Sequence, residues 1–402
     1  MFTSLLFVAG PGLLPGLPAP SPADWLFLLV QGLYALLTLL LWAAWRRIPV
    51  PKAAAVPAGR PFFSVVVAAR DEADRLPDLL RGLARQDYPP DAFEVFIVDD
   101  HSTDDTARVV AEAAAGVGFP LRLLRLADYL PASAPGSNYK KKAIEYGVQS
   151  ARGEWIVLTD GDCRVPPGWL AALAGCAGRE GVRMVSGPVA FDGERSAFEK
   201  MQTVEFASLI GSGAATLQLG LPTMCNAANL AFARAAFVAV DGYAGTADTA
   251  TGDDLFLMHK LHVRYPGGVV FLKNPGGVVY TGAKETWAAF YQQRKRWASK
   301  WNLYQDWRVS ALAVAVFAAN LALPAGLAGY LLGGLSPGWL LLGTAARFGS
   351  EFAFLRDVLR FLGRGRRVKW ILPVQVVYAW YVVFFAIIAQ KRGYVWKGRK
   401  LY

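Results

Sequence analysis

The chain has 402 residues, 54% hydrophobic and 18% charged, with 42 Lys and Arg against 31 Asp and Glu and a formal net charge of +11. Soluble globular chains are about 45–50% apolar and about 25% charged, so the composition excludes a disordered, fibrous or purely nucleic-acid-binding chain. A chain both apolar and basic suits a membrane protein with a charged cytosolic face, and no nucleic-acid partner is expected.

Residues 25–45, WLFLLVQGLYALLTLLLWAAW, carry no charge and match the roughly 20 residues that cross about 30 Å of hydrocarbon. Trp25, Trp42 and Trp45 lie near the ends, where aromatic belts form. Arg46, Arg47 and Lys52 follow, whereas residues 1–24 hold only Asp24 as a charged side chain. The positive-inside rule then places 1–24 outside and 46 onward in the cytoplasm. The run is too long for a cleaved signal peptide and has no basic stretch before it, so an uncleaved anchor is expected. Residues 46–61, which include the Pro/Ala-rich stretch 48–60, read as a linker.

From 62 to 307 the composition is that of a soluble domain, and strands alternate with helices. FFSVVVAAR (62–70), EVFIVDD (94–100), LRLLRL (121–126) and EWIVLTD (154–160) read as strands. Residues 72–86, 104–115 and 139–151 read as the helices between them. Such alternation implies an α/β domain with a mainly parallel sheet, whose ligands sit at the carboxyl ends of the strands. Three of these strands end in charge: Arg70-Asp71-Glu72, Asp99-Asp100 and Asp160-Gly161-Asp162.

In TDGDC, Asp160 and Asp162 are one residue apart after a strand and point the same way. Hard carboxylate oxygens of this kind suit Mg²⁺ or Mn²⁺ with substrate phosphates completing the shell; a solvated loop has the same spelling. In VDDHSTDDT, capping explains Ser102 and Asp104 but not Asp99-Asp100. Lys140, Lys141 and Lys142 open a helix against its dipole, which an anion such as a diphosphate would offset; a solvated basic turn is the alternative. Asp253-Asp254 are either ordinary helix-start acids or the site of a general base. Arg294, Lys295, Arg296 and Trp297 fit a juxtamembrane anchor equally well. The three histidines form no HExxH, no GxSxG forms a strand-to-helix elbow, no Walker loop is present and no GxGxxG follows the first strand, which removes serine hydrolysis and hydride transfer. Cys163, Cys176 and Cys225 lack CxxC spacing, as in a reducing cytosol, and argue against zinc.

Residues 309–333 read as a second span. Residues 338–355 are interrupted by Arg347 and Glu351, four apart, and are either a span with a buried pair or an interfacial helix. A basic loop (356–369), an uncharged segment (370–389) and a basic tail (390–402) follow. Three complete crossings would leave that tail outside, against the charge rule. Either 338–355 or 370–389 is expected not to cross fully.

Taken in order, SVVVAARDE, VDDHSTD, YKKKAIEYG, TDGDC, CNAANLAFAR, TGDD and QRKRW resemble the motifs of the membrane-bound family 2 inverting glycosyltransferases, which have a GT-A fold. The likeness covers about residues 62–301. It implies a nucleotide-sugar donor, UDP-linked, bound by Ala68, Arg70, Glu72, Asp99, Asp100, Lys140, Asp160, Gln293 and Arg296. It further implies Mg²⁺ or Mn²⁺ on Asp160 and Asp162, and a catalytic base at Asp254 or its neighbour Asp253. Asn226, Asn229 and Trp297 would face the acceptor. The acidic pair is Asp-Asp where the family often has Glu-Asp, and Ala-Arg-Asp-Glu stands where many members have Tyr-Asn-Glu. The implied activity is sugar transfer to a lipid or lipid-linked acceptor by an enzyme of the cell membrane with a cytoplasmic catalytic domain. Processive synthases of the cellulose, chitin or hyaluronan type share Q-x-x-R-W and are the alternative. They need more crossings and a gating segment, whereas a span begins here within about ten residues of Trp297. The terminal YVWKGRKLY is similar to the tails of ceramide-glucosyltransferase-like enzymes, which implies a cytosolic tail. A silent scaffold binding anionic lipid is the reading from another class, and the retained carboxylates speak against it.

Overall fold

Every residue of the first strand, β1 (Phe63–Ala69), is buried except Ala68, the pattern of a strand covered on both faces. The computed structural model describes residues 17–50, 60–130, 138–245, 253–298, 306–388, 394–396 and 399–401. Most of the N-terminal segment, most of the linker with Lys52, the Asp253 side chain and much of the tail lie outside the described residues.

A long helix, α1 (Pro22–Arg47), precedes β1. The chain then alternates through α2 (Leu76–Ala84), β2 (Phe93–Asp99), α3 (Thr106–Ala114), β3 (Leu121–Arg125), α4 (Leu126–Tyr129), α5 (Tyr139–Ser150) and β4 (Trp155–Leu158). Next come α6 (Trp169–Ala177), β5 (Met184–Ser186), β6 (Val189–Asp192), α7 (Ala197–Gln218), β7 (Leu230–Ala233) and α8 (Arg234–Ala239). The domain closes with α9 (Asp253–Arg264), β8 (Val269–Phe271), β9 (Val279–Gly282) and α10 (Trp287–Ala298). Three helices, α11 (Trp307–Leu331), α12 (Pro337–Phe361) and α13 (Ile371–Ile388), lead to a hairpin of β10 (Tyr394–Trp396) and β11 (Arg399–Leu401).

The main sheet has the order β3-β2-β1-β4-β7-β5-β8. It is mostly parallel; β7 alone runs against its neighbours β4 and β5. Because β2 and β4 flank β1 on opposite sides, their crossovers leave in opposite directions and open a crevice at the carboxyl ends. The expected strands and helices are present. Residues 72–75 form a turn rather than the start of α2, with the Arg75 N–H donating to the Glu72 carbonyl at 3.0 Å and the Glu72 N–H to Thr106 Oγ1 at 2.9 Å.

By length and composition, three described stretches could cross a membrane: α1, α11 and Gly365–Ile388. Helix α12 fails that test through Arg347 and Glu351, yet it runs parallel to α1 over most of its length. Asp24 Oδ1 accepts from the Ser336 N–H at 2.9 Å at one end, and Trp42 Nε1 donates to Asp357 Oδ2 at 2.8 Å at the other. Between them Arg347 is enclosed: Nε lies 3.3 Å from Glu351, Nη1 donates to the Ala319 carbonyl and Nη2 to Asn320 Oδ1. Its guanidinium also lies over the Tyr34 ring. The two residues pair, and α1 and α11 shield them, as buried charges require. Helix α11 runs antiparallel to α1, with Phe27 against Gly326 and Gln31 donating to Ala319.

Helix α13 behaves differently. Ile371 is buried in the cluster of Leu359 and Leu362, and Gln375 donates to Glu351. Its far half packs Phe385 against Phe290 and Tyr291 of α10, and β10 also lies on α10. Both ends of α13 therefore meet the α/β domain. The basic stretch 356–369 is no free loop. Helix α12 continues to Phe361, Arg367 makes a two-pronged bond to Glu194, and Arg364 lies over Tyr280. Burial alone would raise the Glu194 carboxyl, but the bonds from Arg367 and Thr203 outweigh it and hold the group below the usual range.

Candidate active site

The carboxyl ends of β1 and β2 are tied together by their own loops. Asp71, at φ 50°, accepts from the Thr103 N–H at 2.8 Å, and its own N–H donates to Ser102 Oγ. Asp104 accepts from the Ala73 N–H. Successive side chains on a strand face opposite ways, and this splits the acidic pair of β2. Asp99 Oδ1 accepts from the Ser102 N–H at 3.1 Å and is consumed by the turn. Asp100 is buried, bonds His101 Nδ1 at 3.0 Å and lines a cavity of about 1300 Å³. Arg70 donates to the Asp100 carbonyl, and Ala68, Arg70 and Glu72 share that lining.

After β4 the chain turns sharply, with the Cys163 N–H donating to the Asp160 carbonyl at 3.0 Å. A Cβ on Gly161 would come within 3.3 Å of Glu72, so the turn packs closely. Oxygens of Asp160 and Asp162 and the Cys163 sulfur lie within 4.8 Å of one another. Burial first, then the charges of Asp160 and Asp162, push the Cys163 thiol well above its ordinary range. Asp160 and Asp162 offer two hard carboxylates, a set that fits Mg²⁺ or Mn²⁺. Side-chain cations sit on both: Lys140 Nζ is 2.7 Å from Asp160, and Arg75 is 3.8 Å from Asp162.

Of the three helix-opening lysines, helical geometry delivers one to the cavity. Lys140 lines it, Lys141 is buried over the Phe256 ring, and Lys142 pairs with Glu145 outside. Asp254 lines the cavity from the first turn of α9. Its Oδ2 accepts from the Ala227 N–H at 3.1 Å and its Oδ1 from the Leu255 N–H at 2.9 Å, which orients the carboxylate.

The two asparagines diverge. Asn226 lines the cavity and caps its own turn through the Ala228 N–H. The structure does not bring Asn229 there. It is fully buried, accepts from Trp169 Nε1 and donates to the carbonyls of Pro188 and Gly277. A Cβ on Gly187 would overlap its amide at 2.2 Å, so the glycine makes room for this staple.

On α10, Gln293, Arg296 and Trp297 line the cavity. Arg294 touches its edge but is locked to Glu205, and Trp297 stacks on Phe206 with centroids 5.7 Å apart. Glu205, Lys284 and Arg75 also line the cavity, and sequence reasoning missed all three. Glu205 had one signal, a lone acid in the apolar run VEFASLI; Lys284 and Arg75 had none, because only tertiary folding brings them to Asp162. The cavity continues past these charges between α11 and α13, where Val314, Phe317, Val382 and Phe385 line it. One end is crowded with charge and the other is apolar.

Residues 60–299 match the family model described as glycosyltransferase like family 2. The beta-monoglucosyldiacylglycerol synthase of Nostoc sp. is 30% identical over 239 residues, 59% of this chain and 48% of the relative. The poly-beta-1,6-N-acetyl-D-glucosamine synthase of Staphylococcus aureus is 26% identical over 241 residues, 59% of this chain and 53% of the relative. The aligned segment thus spans about half the length of these curated relatives. Among solved structures, the mannosyltransferase PcManGT from Pyrobaculum calidifontis, in complex with GDP-Man and Mn²⁺, superposes with a TM-score of 0.56. It is 20% identical, with 89% of this chain and 98% of that chain covered, and the likeness is one of fold.

Proposed function

The chain belongs to the glycosyltransferase-like family 2, with its GT-A fold, and on that premise we propose that it moves a sugar, with inversion, from a UDP-sugar to a lipid hydroxyl at the cytoplasmic face of a membrane. One observation carries this reading. A single cavity joins the carboxyl ends of β1, β2 and β4 to the gap between the apolar helices α11 and α13. A polar donor fits one end, and an acceptor anchored by acyl chains fits the other.

Arg70, Glu72 and Asp100 hold the nucleoside, and Lys140 the diphosphate. Asp160 and Asp162 would hold Mg²⁺ or Mn²⁺, and the chemistry such an ion supplies is neutralisation of the leaving diphosphate. Asp254, oriented by two N–H groups, takes the proton of the acceptor hydroxyl. The freed oxygen attacks the anomeric carbon from the face opposite the diphosphate, whose bond to that carbon breaks as the new one forms. Arg296 faces the charge that develops on the leaving group. Trp297, with Asn226, offers a surface for the sugar or the acceptor. Asp99 and Asn229 act from behind, as a turn cap and a staple.

The cytoplasmic orientation rests on charge. Arg46, Arg47, Arg360, Arg366 and Lys369 are exposed at the end of the α1–α12 pair that adjoins the α/β domain, the side on which basic residues collect. On this reading α12 crosses beside α1, α11 crosses between them in the opposite sense, and α13 enters and returns. The basic tail then stays with the catalytic domain, and the charge rule is obeyed. Processive synthesis is the second reading, favoured by the similarity to the poly-N-acetylglucosamine synthase.

The test is a donor panel with Mg²⁺ or Mn²⁺ in native-lipid nanodiscs, comparing the wild type with Asp254→Asn and weighing the lipids by mass spectrometry. One sugar increment on one lipid class, lost in the variant, is the expected result. A ladder of products would establish the polymerase. Equal turnover in both proteins would overturn the assigned base.

A further inference from the structure

His101 stands directly after the carboxylate that closes β2, in a backbone geometry that side chains seldom take. Its φ is 54°, in the left-handed region that favours glycine. Bonds on both sides hold it there. The Asp100 N–H donates to the Ala69 carbonyl at 2.7 Å, and the Ser102 N–H to Asp99 Oδ1 at 3.1 Å. The reversal between them brings the imidazole back onto Asp100. A glycine would make this turn with no Cβ to accommodate, so the backbone alone gives no reason for a histidine.

The reason lies in the ring. Nδ1 stands 3.0 Å from Asp100 Oδ1, and because a carboxylate only accepts, Nδ1 carries the proton of that bond. Arg70 comes no closer than 4.0 Å to the same oxygen and gives its hydrogen bond to the Asp100 carbonyl instead. The imidazole also meets Tyr139, the first residue of α5, with centroids 5.5 Å apart and planes at 80°. Asp100 and Tyr139 both line the cavity, and His101 braces the two from behind. These contacts come at a cost, because the other ring nitrogen, Nε2, is buried and bonded to nothing among the described residues. A left-handed side chain and a bare buried nitrogen both work against stability. Features of that kind mark positions where a site, rather than the fold, sets the residue.

We propose that His101 is a positioning residue for the nucleoside of the donor, holding the Asp100 carboxylate in one orientation with the Tyr139 ring beside it. The inference rests on the nucleotide-sugar reading of this cavity and adds to it a residue behind the lining. A carboxylate that can rotate must be ordered when its ligand arrives, and that ordering subtracts from affinity. The bond from Nδ1 to Oδ1 fixes Asp100 beforehand, as a preorganised site requires. Its effect falls on the nucleoside and not on the diphosphate, which Lys140 and the carboxylates after β4 receive.

The experiment is calorimetric titration of the full chain in nanodiscs with UDP, uridine and pyrophosphate, each with Mn²⁺. His101→Gly suits the turn and lacks the ring, and it should weaken UDP and uridine alike by about 3- to 10-fold, the worth of one ordinary hydrogen bond. Pyrophosphate binding should not change. His101→Asn tolerates the left-handed turn and sets an amide N–H near the place of Nδ1, so it should restore most of the loss. His101→Asp has the same size but turns a second carboxylate on Asp100, and it should lose at least as much as His101→Gly. Equal UDP affinity in His101→Asn and His101→Asp would overturn the proposal even if His101→Gly folds poorly. A loss that extends to pyrophosphate would mean a structural role and overturn it too. In an Asp100→Asn background, His101→Gly should have no further effect, and an additive loss would show that the histidine does not act through that carboxylate. A wild type that binds UDP no more tightly than pyrophosphate and ignores uridine would overturn the nucleoside reading itself, which is a different failure.

Discussion

Arg294 and Glu205 form a two-pronged ion pair, Nε to Oε1 at 3.1 Å and Nη2 to Oε2 at 2.5 Å, that ties α10 to α7. Both side chains are buried, and the Tyr381 hydroxyl of α13 donates to the same carboxylate at 2.9 Å. The Arg294 guanidinium is also sandwiched near the rings of Phe290 and Trp297. Of the cations in QRKRW, this one holds the helix in place, while Arg296, two residues on, lines the cavity.

Removing one partner of such a pair leaves a buried charge without compensation. Glu205→Ala should destabilise the protein by about 3–5 kcal/mol, whereas the double change Glu205→Leu with Arg294→Met should be much milder. Thermal unfolding of the wild type and the two variants in detergent tests this. A double variant as unstable as the single one would show that the pair does more than hold helices together.

The carboxylates after β4 should govern metal-dependent donor binding. Asp160→Asn and Asp162→Asn should each weaken UDP binding in Mn²⁺ about 100-fold or more, several kcal/mol being what a divalent ion supplies at a diphosphate. A chelator should do the same to the wild type. UDP affinity that ignores both chelator and substitution would remove the metal from this site.

His259 adds a pH dependence. Burial foremost, and then His262, lower its pKa below the ordinary 6.5, with Asp306 opposing. The neutral form is favoured when folded, so its contribution to stability is complete above about pH 6.5 and lost as the pH falls through the lower folded value. Because His259 sits on α9 with Asp254, the melting temperature should drop between pH 7 and pH 5. That drop should be shallower in His259→Gln. Parallel curves for the two proteins would refute this.

The apolar end of the cavity can be blocked without touching its charges. Ala313 on α11 lines it and is otherwise exposed. Ala313→Trp should raise the KM for the lipid acceptor about tenfold or more, the scale of 1–3 kcal/mol for a misfit in an apolar pocket. Donor affinity should stay unchanged. An unchanged acceptor KM would place the lipid elsewhere.

The folding of α13 back onto α10 predicts a sidedness. Cysteines introduced at Leu332, in the turn between α11 and α12, and at Arg366, beyond α12, should react with a membrane-impermeant maleimide from opposite faces. Lys400→Cys should label with Arg366→Cys. Labelling of position 400 together with position 332 would mean that α13 crosses completely.

The alternation of strands and helices was legible because β-branched runs and 3.6-residue spacings are local signals. The same holds for the carboxylates at strand ends and for the apolar segments, so the GT-A class and the family could be read from spelling and order. Roles within each short motif could not. One of two adjacent aspartates, one of three lysines and one of two asparagines reach the cavity. That choice depends on which way a side chain faces once the strand or helix is packed. Lys284, Glu205 and Arg75 come from distant stretches, and only the closure of α7, α10 and the β9 link around Asp162 joins them. The chain's apolar and basic character was visible at once. That Arg347 and Glu351 pair and are enclosed follows only from the neighbours that α1 and α11 supply. A buried charge is tolerated only where the tertiary structure provides its partners.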